Sequence, residues 1–388
     1  MDKENYILVD FPVNDQLAEY FNYKGIEFDF LPEYLPEESR ATAVDIIADR
    51  ISGKGKVTLI SSPLRTIYEK EGRDHLSTLK KLYKEKSIYN DFNEISKKLT
   101  IILYSEKDLL PNLYKIADRE PDFLSWINQL KPKVLADGIA GKWLKENYSK
   151  CEFIELQHPL LEYARTKPQL STLVRHNPKK DFLCLMSDHP DGRLHRKFLH
   201  EQMTEKRLIE HTVYNFSPPT PMTEVHDDLK ESFSEIVIKG LSWSDGIPSV
   251  HYYNQTNLEI IAETFGGHRF GGHHGRDDTF FITEKTTKPI AMKHPFMVLS
   301  SFHFLKNLRE LGFRTFSDHL DESYDLEQDM KKRVEIITNN LVMLKVSSGK
   351  LYNDTKEIRD HNLLNLQHQA GMYKTKLWNR MDEFMKNV

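Results

Sequence analysis

The chain has 388 residues, 39% of them hydrophobic and 29% charged, with a formal net charge of −4. Its mean hydropathy is −0.57, and no apolar run approaches the roughly 18–20 residues that cross a bilayer, which argues against a helical membrane protein. The charge balance excludes a polycation but leaves room for a local basic groove.

Two cysteines, Cys151 and Cys184, cannot build a disulfide framework, so a reducing, cytoplasmic setting is expected. The polar, acidic start MDKENYILVDF does not read as a secretory signal. The length suits two domains of ordinary size.

In chain order, Tyr6–Phe11 is β-prone and stopped by Pro12, and Val57–Ser61 is a second short strand ended by Pro63. Lys70–Lys98 is a charged helical stretch. Within it Lys80, Lys81, Lys84 and Lys86, interleaved with Tyr83 and Tyr89, read as a solvated face or as a stacking groove for nucleic acid. Leu99–Tyr104 is a strongly apolar strand. Pro121–Leu130 is a helix with proline at its first position. Val134–Asp137 is a strand followed by Gly138 and a helix through Asn147, and Cys151–Leu156 is a further strand. Strands spaced by helices predict parallel βαβ units, although no GxGxxG follows the first strand.

Residues 165–180, with two prolines and many polar residues, read as a linker. A second α/β unit opens with the strand Asp181–Met186, the turn SDHPDGR and a helix from Leu194 to Lys206. Phe216–Thr223 reads as a proline-rich loop. Ser249–Tyr253 and Leu258–Thr264 read as strands. A helix capped by Thr283, the strand Phe296–Leu299, and helices at Phe302–Leu311 and Lys331–Leu344 follow. The last 38 residues read as mostly helical. The expected class is therefore α/β, with two Rossmann-like domains facing across a cleft and a C-terminal helical segment. The boundaries are 1–170, 171–350 and 351–388, the last segment packing back on the N-terminal lobe. Ligands of such sheets sit beyond the carboxyl ends of the strands.

The segment 279–299, TFFITEKTTKPIAMKHPFMVL, carries the most chemistry. Thr283 is placed to cap a helix that begins at Glu284 and Lys285. A helix start attracts anions, because its first N–H groups lack helical partners. The lysine adds a point charge suited to phosphate, and the glutamate can accept from ribose hydroxyls. Just upstream, GGHRFGGHHGR (266–276) holds five of the chain's 17 glycines, two arginines and three histidines. It reads as a cationic loop that closes over a nucleotide diphosphate, with Arg269 or Arg276 clamping phosphate. The alternatives are a plain surface turn, or metal ligation by His268, His273 and His274. No CxxC or HExxH supports the latter, so no metal site is expected. Arg193, His195 and Arg196 open a helix after a strand, a position that favours the cleft.

Three stretches of the second half resemble a virus-encoded, glycosyltransferase-like family common in bacteriophages. They are DFLCLMSDHPDGRLHRKFL (181–199), LEIIAETF (258–265), which ends in Glu263, and the long FFITEKTTKPIAMKHPFMVLSSFHFLKNLRELGFRTFSDHLDESYD (280–325). The Thr-Glu-Lys core is similar to the donor-site motif of GT-B fucosyltransferases, in which the glutamate meets the ribose and the lysine the diphosphate. This implies that Thr283, Glu284 and Lys285 form a donor site, with Glu263 nearby. Arg193, His195, Arg196, Arg269 and Arg276 complete it on the phosphate side. One departure is the turn Ser187–Gly192, which carries two acidic residues where the family is richer in arginine.

The resemblance implies a glycosyltransferase whose donor is a nucleotide-diphosphate sugar bound in the C-terminal lobe. No cofactor and no divalent metal is required, since cations and the helix dipole can stabilise the leaving diphosphate. The acceptor lies in the N-terminal lobe. Given the viral flavour of the resemblance, the expected acceptor is a hydroxymethylated base such as hydroxymethylcytosine in double-stranded phage DNA, or else a host or viral glycan. No membrane partner is expected, and the setting is the host cytoplasm. Inverting transfer would need a base, and Asp137, Asp10 and Glu106 each stand at or just after a predicted strand end. A non-catalytic nucleotide- or nucleic-acid-binding protein is the rival class. A kinase or nucleotidyltransferase is disfavoured by the lack of a P-loop.

Overall fold

A computed structural model describes residues 5–9, 15–30, 47, 56–61, 97–104, 110, 113–114, 116–117, 120–156, 176–187, 193–217, 248–263, 266 and 279–385. The chain divides into two units, Met1–His158 with Tyr373–Val388, and Pro159–Met372.

The described elements of the first unit are β1 (Asn5–Val9), α1 (Asp15–Lys24), β2 (Asp29–Phe30), β3 (Lys56–Ser61), β4 (Leu99–Tyr104), α2 (Pro121–Gln129), β5 (Lys133–Asp137), α3 (Lys142–Asn147) and β6 (Glu152–Leu156). The strands form a parallel sheet in the order β2-β1-β3-β4-β5-β6. In β4 every residue but Thr100 is buried, the signature of a strand covered on both faces. Each fully buried aliphatic side chain there, such as Ile101 or Ile102, contributes about 1.5–3 kcal/mol. Proline at the first position of α2 presets the helical φ. That helix then buries Phe123, Leu124, Trp126 and Ile127.

The second unit contains β7 (Phe182–Ser187), α4 (Leu194–Glu205), β8 (Thr212–Ser217), α5 (Pro248–Gln255), β9 (Leu258–Ala262), α6 (Glu284–Ala291), β10 (Phe296–Leu299), α7 (Phe304–Glu310), α8 (Met330–Leu344), α9 (Ser348–Asp354) and the part of α10 (Lys356–Met385) that runs through Met372. Its parallel sheet runs β10-β9-β7-β8. The first strand of each unit thus lies between its second and third. Successive crossovers leave that strand in opposite directions, which opens a crevice at the carboxyl ends. In the second unit this point falls between β7 and β9. The α/β class and the two parallel sheets agree with the sequence expectation.

Two local readings are corrected. Ser249–Tyr253 is helical, within α5, although its residues are β-prone. Proline opens the helix, and Val250 and Tyr253, three apart, are buried on one face. Burial of that face outweighs the propensity of a short β-branched and aromatic run. Conversely, Phe216 and Ser217 belong to β8, not to a loop. The register Met186↔Phe216 and Ser187↔Ser217 continues the parallel ladder with β7 through Ser217, which supplies partners for backbone groups along this stretch. The lysine-rich stretch 80–86 lies outside the described residues.

The amino-terminal edge of the second sheet is tied by polar bonds. Asp181 accepts from Ser348 Oγ at 2.5 Å and pairs with His211 Nδ1 at 2.9 Å. Asn257 donates to Ser348 Oγ at 3.0 Å. Tyr352 lies between the His176 ring, stacked at 3.7 Å, and the Arg359 guanidinium, 3.9 Å from its centroid. Buried His294 packs against Tyr352 and Tyr253. These bonds fasten α9 and the start of α10 to the edge opposite the crevice.

Helix α10 serves both units. Its residues through Met372 belong to the second and those from Tyr373 to the first. Within the first unit Trp378 meets Tyr20 at 6.0 Å and Tyr23 at 4.8 Å. Asp382 takes the Tyr20 hydroxyl and the Lys24 ammonium, each at 2.8 Å.

Candidate functional site

At the carboxyl end of β9 the chain reaches Glu263, whose side chain is fully buried. Its carboxylate accepts from Thr283 N at 3.2 Å, from Thr283 Oγ1 at 2.6 Å and from Thr286 Oγ1 at 2.5 Å. Thr283 is the N-cap of α6, with extended backbone, and its Oγ1 accepts from Lys285 N at 3.2 Å. Thr286 and Thr287 donate their amides to Thr283 O. The helix is short. Pro289 has no N–H to offer the Lys285 carbonyl. A Schellman turn closes the helix: Lys293 has φ 53°, Lys293 N bonds Ile290 O at 3.2 Å and His294 N bonds Pro289 O at 2.8 Å.

The exposed chemistry stands on the first turn. Glu284 is 53% exposed and Lys285 27% exposed, and Lys285 Nζ donates to Glu284 Oε1 at 2.7 Å and to Thr283 Oγ1 at 3.4 Å. Partial burial works against charge on Glu284. The Lys285 ammonium, the hydrogen bond from it, Lys288 and the residue's own N–H outweigh that and hold the carboxyl down at about 2. Lys288 is pulled below its ordinary range by burial, with Glu284 and Glu259 opposing that and Lys285 reinforcing it. The positive end of the helix is therefore already neutralised by its own glutamate, which a diphosphate would have to displace.

Under α6 lies a second carboxyl, Glu259 of β9, four residues and so two repeats of the pleat before Glu263. Burial pushes it up to about 8; the Tyr253 hydroxyl, at 2.5 Å, and Lys288 oppose this, and Glu263 adds to it. Sequence reasoning missed Glu259 and Thr286. The only available signals were an acidic residue inside an apolar run, and a threonine three residues after the cap.

Arg193 is the half-buried residue before α4. His195 and Arg196 are buried, turned into the unit rather than out to solvent. His195 Nε2 lies 2.9 Å from Glu263 O, and because a carbonyl only accepts, that nitrogen carries the proton. Arg196 donates to Ala262 O at 3.0 Å and to Glu263 O at 3.3 Å. Gly266 lies against the His195 ring, where an added Cβ would come within 2.3 Å of it. Glu263, Thr283, Glu284 and Lys285 are brought together. Asp137 ends β5, paired with Leu156. Arg269, Arg276, Asp10 and Glu106, and the histidines 268, 273 and 274, lie outside the described residues.

At the neighbouring strand end, the start of α7 is filled from within: Asp325 accepts from Leu305 N at 2.7 Å and Lys306 N at 3.0 Å. Among the described residues no group of three or more histidine, cysteine, aspartate or glutamate side chains is placed to hold a metal ion, and no helix is long and apolar enough to cross a membrane.

No protein-family model and no curated protein sequence matches the chain. Among solved structures it is similar to a Listeria monocytogenes protein described as a UDP-N-acetylglucosamine 2-epimerase, at 11% identity and a TM-score of 0.37, covering 100% of this chain and 98% of that one. Likeness at that level says nothing about chemistry.

Proposed function

We propose that the chain is a glycosyltransferase of the GT-B type that holds the diphosphate of a nucleotide-sugar at the start of α6. The observation that carries this reading is the Thr283–Glu284–Lys285 turn, held by buried Glu263 at the carboxyl end of β9 beside the crossover point of the sheet. The likeness of this turn to the fucosyltransferase donor motif agrees with it.

In this reading the Lys285 ammonium leaves Glu284 for a phosphate oxygen, and the freed Glu284 carboxylate accepts from the ribose hydroxyls. As the bond from the anomeric carbon to the phosphate oxygen breaks, charge grows on the diphosphate. Lys285 and the dipole of α6 stabilise it there. The acceptor oxygen bonds to the anomeric carbon, and its proton passes to a carboxylate. Asp137, Asp10 and Glu106 of the first unit are the proposed bases. The proposed acceptor is a hydroxymethylated base in double-stranded DNA, on the strength of the phage-family resemblance.

The test is release of nucleoside diphosphate from a panel of nucleotide-sugars, with and without hydroxymethylated DNA. Lys285→Ala should abolish release and weaken nucleoside-diphosphate binding by roughly ten- to hundredfold, the loss of one charged hydrogen bond. Stability should change by less than about 1 kcal/mol, because the pair is partly exposed. Unchanged binding in that variant refutes the site. Binding without release by the wild type leaves a nucleotide-binding module.

A further inference from the structure

We infer that Glu263 is a positioning residue for the diphosphate site, acting through Thr283 and Thr286 rather than by touching the ligand; this rests on the reading proposed above. The residue is fully buried, so its carboxylate has no route to a ligand in solvent. What it controls is the direction of a proton. A threonine hydroxyl has one hydrogen to give. Thr283 gives its hydrogen to Glu263 Oε2 at 2.6 Å. The Thr283 lone pairs are thereby turned toward Lys285 N at 3.2 Å and Lys285 Nζ at 3.4 Å. The other carboxylate oxygen takes Thr283 N and Thr286 Oγ1. Three donors converging on two oxygens need an acceptor-only partner at this place.

Glutamine has the same shape but puts an NH2 against at least one of those donors. With the NH2 facing it, the Thr283 hydroxyl must turn round and accept from the amide, which takes one of the two lone pairs that now face Lys285 and weakens the cap. The backbone of the same residue holds the other helix of the crevice: its carbonyl accepts from His195 Nε2 and Arg196. One residue at the end of β9 thus fixes the starts of α4 and α6 relative to each other. An ordinary structural glutamate would stabilise the unit without setting the affinity of Lys285 for phosphate.

The experiment is calorimetric titration of the full chain with inorganic pyrophosphate, UDP and GDP, at a temperature well below each variant's Tm. The variants are Lys285→Ala, Glu263→Gln, Thr286→Ser and Thr286→Val. Loss of a helix cap scales to about a tenfold weakening of pyrophosphate binding in Glu263→Gln. Thr286→Ser should keep wild-type affinity and Thr286→Val should lose it. This pair decides the matter if Glu263→Gln does not fold. A lowered Tm with unchanged Kd in Glu263→Gln and Thr286→Val, while Lys285→Ala is impaired, overturns the positioning role alone. If Lys285→Ala binds like the wild type, or the wild type binds none of the three probes, the donor-site reading fails and this inference falls with it.

Discussion

Replacing Glu259 by glutamine should make the protein more stable at alkaline pH, and the size of the effect can be worked out. The carboxyl ordinarily titrates at 4.5, and in the fold burial raises it to about 8. A folded state that binds a proton more tightly than the unfolded chain is most stable when both are protonated, below 4.5. That advantage is lost as pH rises toward 8, because only the unfolded chain gives up its proton. Each pH unit in this window is worth about 1.4 kcal/mol. Between pH 5 and pH 8 the wild type should therefore lose about 4 kcal/mol that the glutamine variant keeps. Glutamine retains an oxygen for the Tyr253 hydroxyl, now 2.5 Å from Glu259 Oε2. Cys184 is fully buried on β7 of the same sheet. Its alkylation in a urea series, read by peptide mass from pH 5 to 9, reports the opening of this unit alone. A stability gap between wild type and Glu259→Gln that stays constant over that range would refute the reasoning.

His294 should act in the opposite sense. It is buried, and burial first, then Arg359 and His176, hold it well below its ordinary 6.5; the unfolded chain takes up the proton below that value, so stability falls by up to about 1.4 kcal/mol per pH unit as pH drops from 6.5. His294→Gln should flatten that limb in the same alkylation assay. Gly266→Ala should cost about 1–3 kcal/mol, since the new methyl would come within 2.3 Å of the His195 ring and must push it off the Glu263 carbonyl; a thermal scan showing no loss would mean the ring moves freely.

Much of the fold was legible in the chain because parallel strands buried on both faces leave plain apolar runs, as in Leu99–Tyr104 and Leu258–Ala262. The Thr283 cap was legible too, because capping is a local matter of one side chain and the next two amides. The tie to Glu263 was not, since it joins residues 20 apart in sequence and depends on β9 ending beside α6. For the same reason His195 and Arg196 looked like ligands. Cationic residues after a strand suggest phosphate, but these two bond to the β9 carbonyls, which only the folded sheet brings near. Ser249–Tyr253 misled because its side chains favour strands, while the proline before it and the spacing of Val250 and Tyr253 favour the helix that formed.

The sharing of α10 has a consequence for synthesis. The first unit draws on Tyr373–Val388, so the partner of Tyr20 and Lys24 leaves the ribosome only after the whole of the second unit. A segment made before the second unit is therefore completed only after it. Until Trp378 and Asp382 arrive, the aromatic side of α1 stands without its cover, a window in which a chaperone or a protease would meet an incomplete lobe.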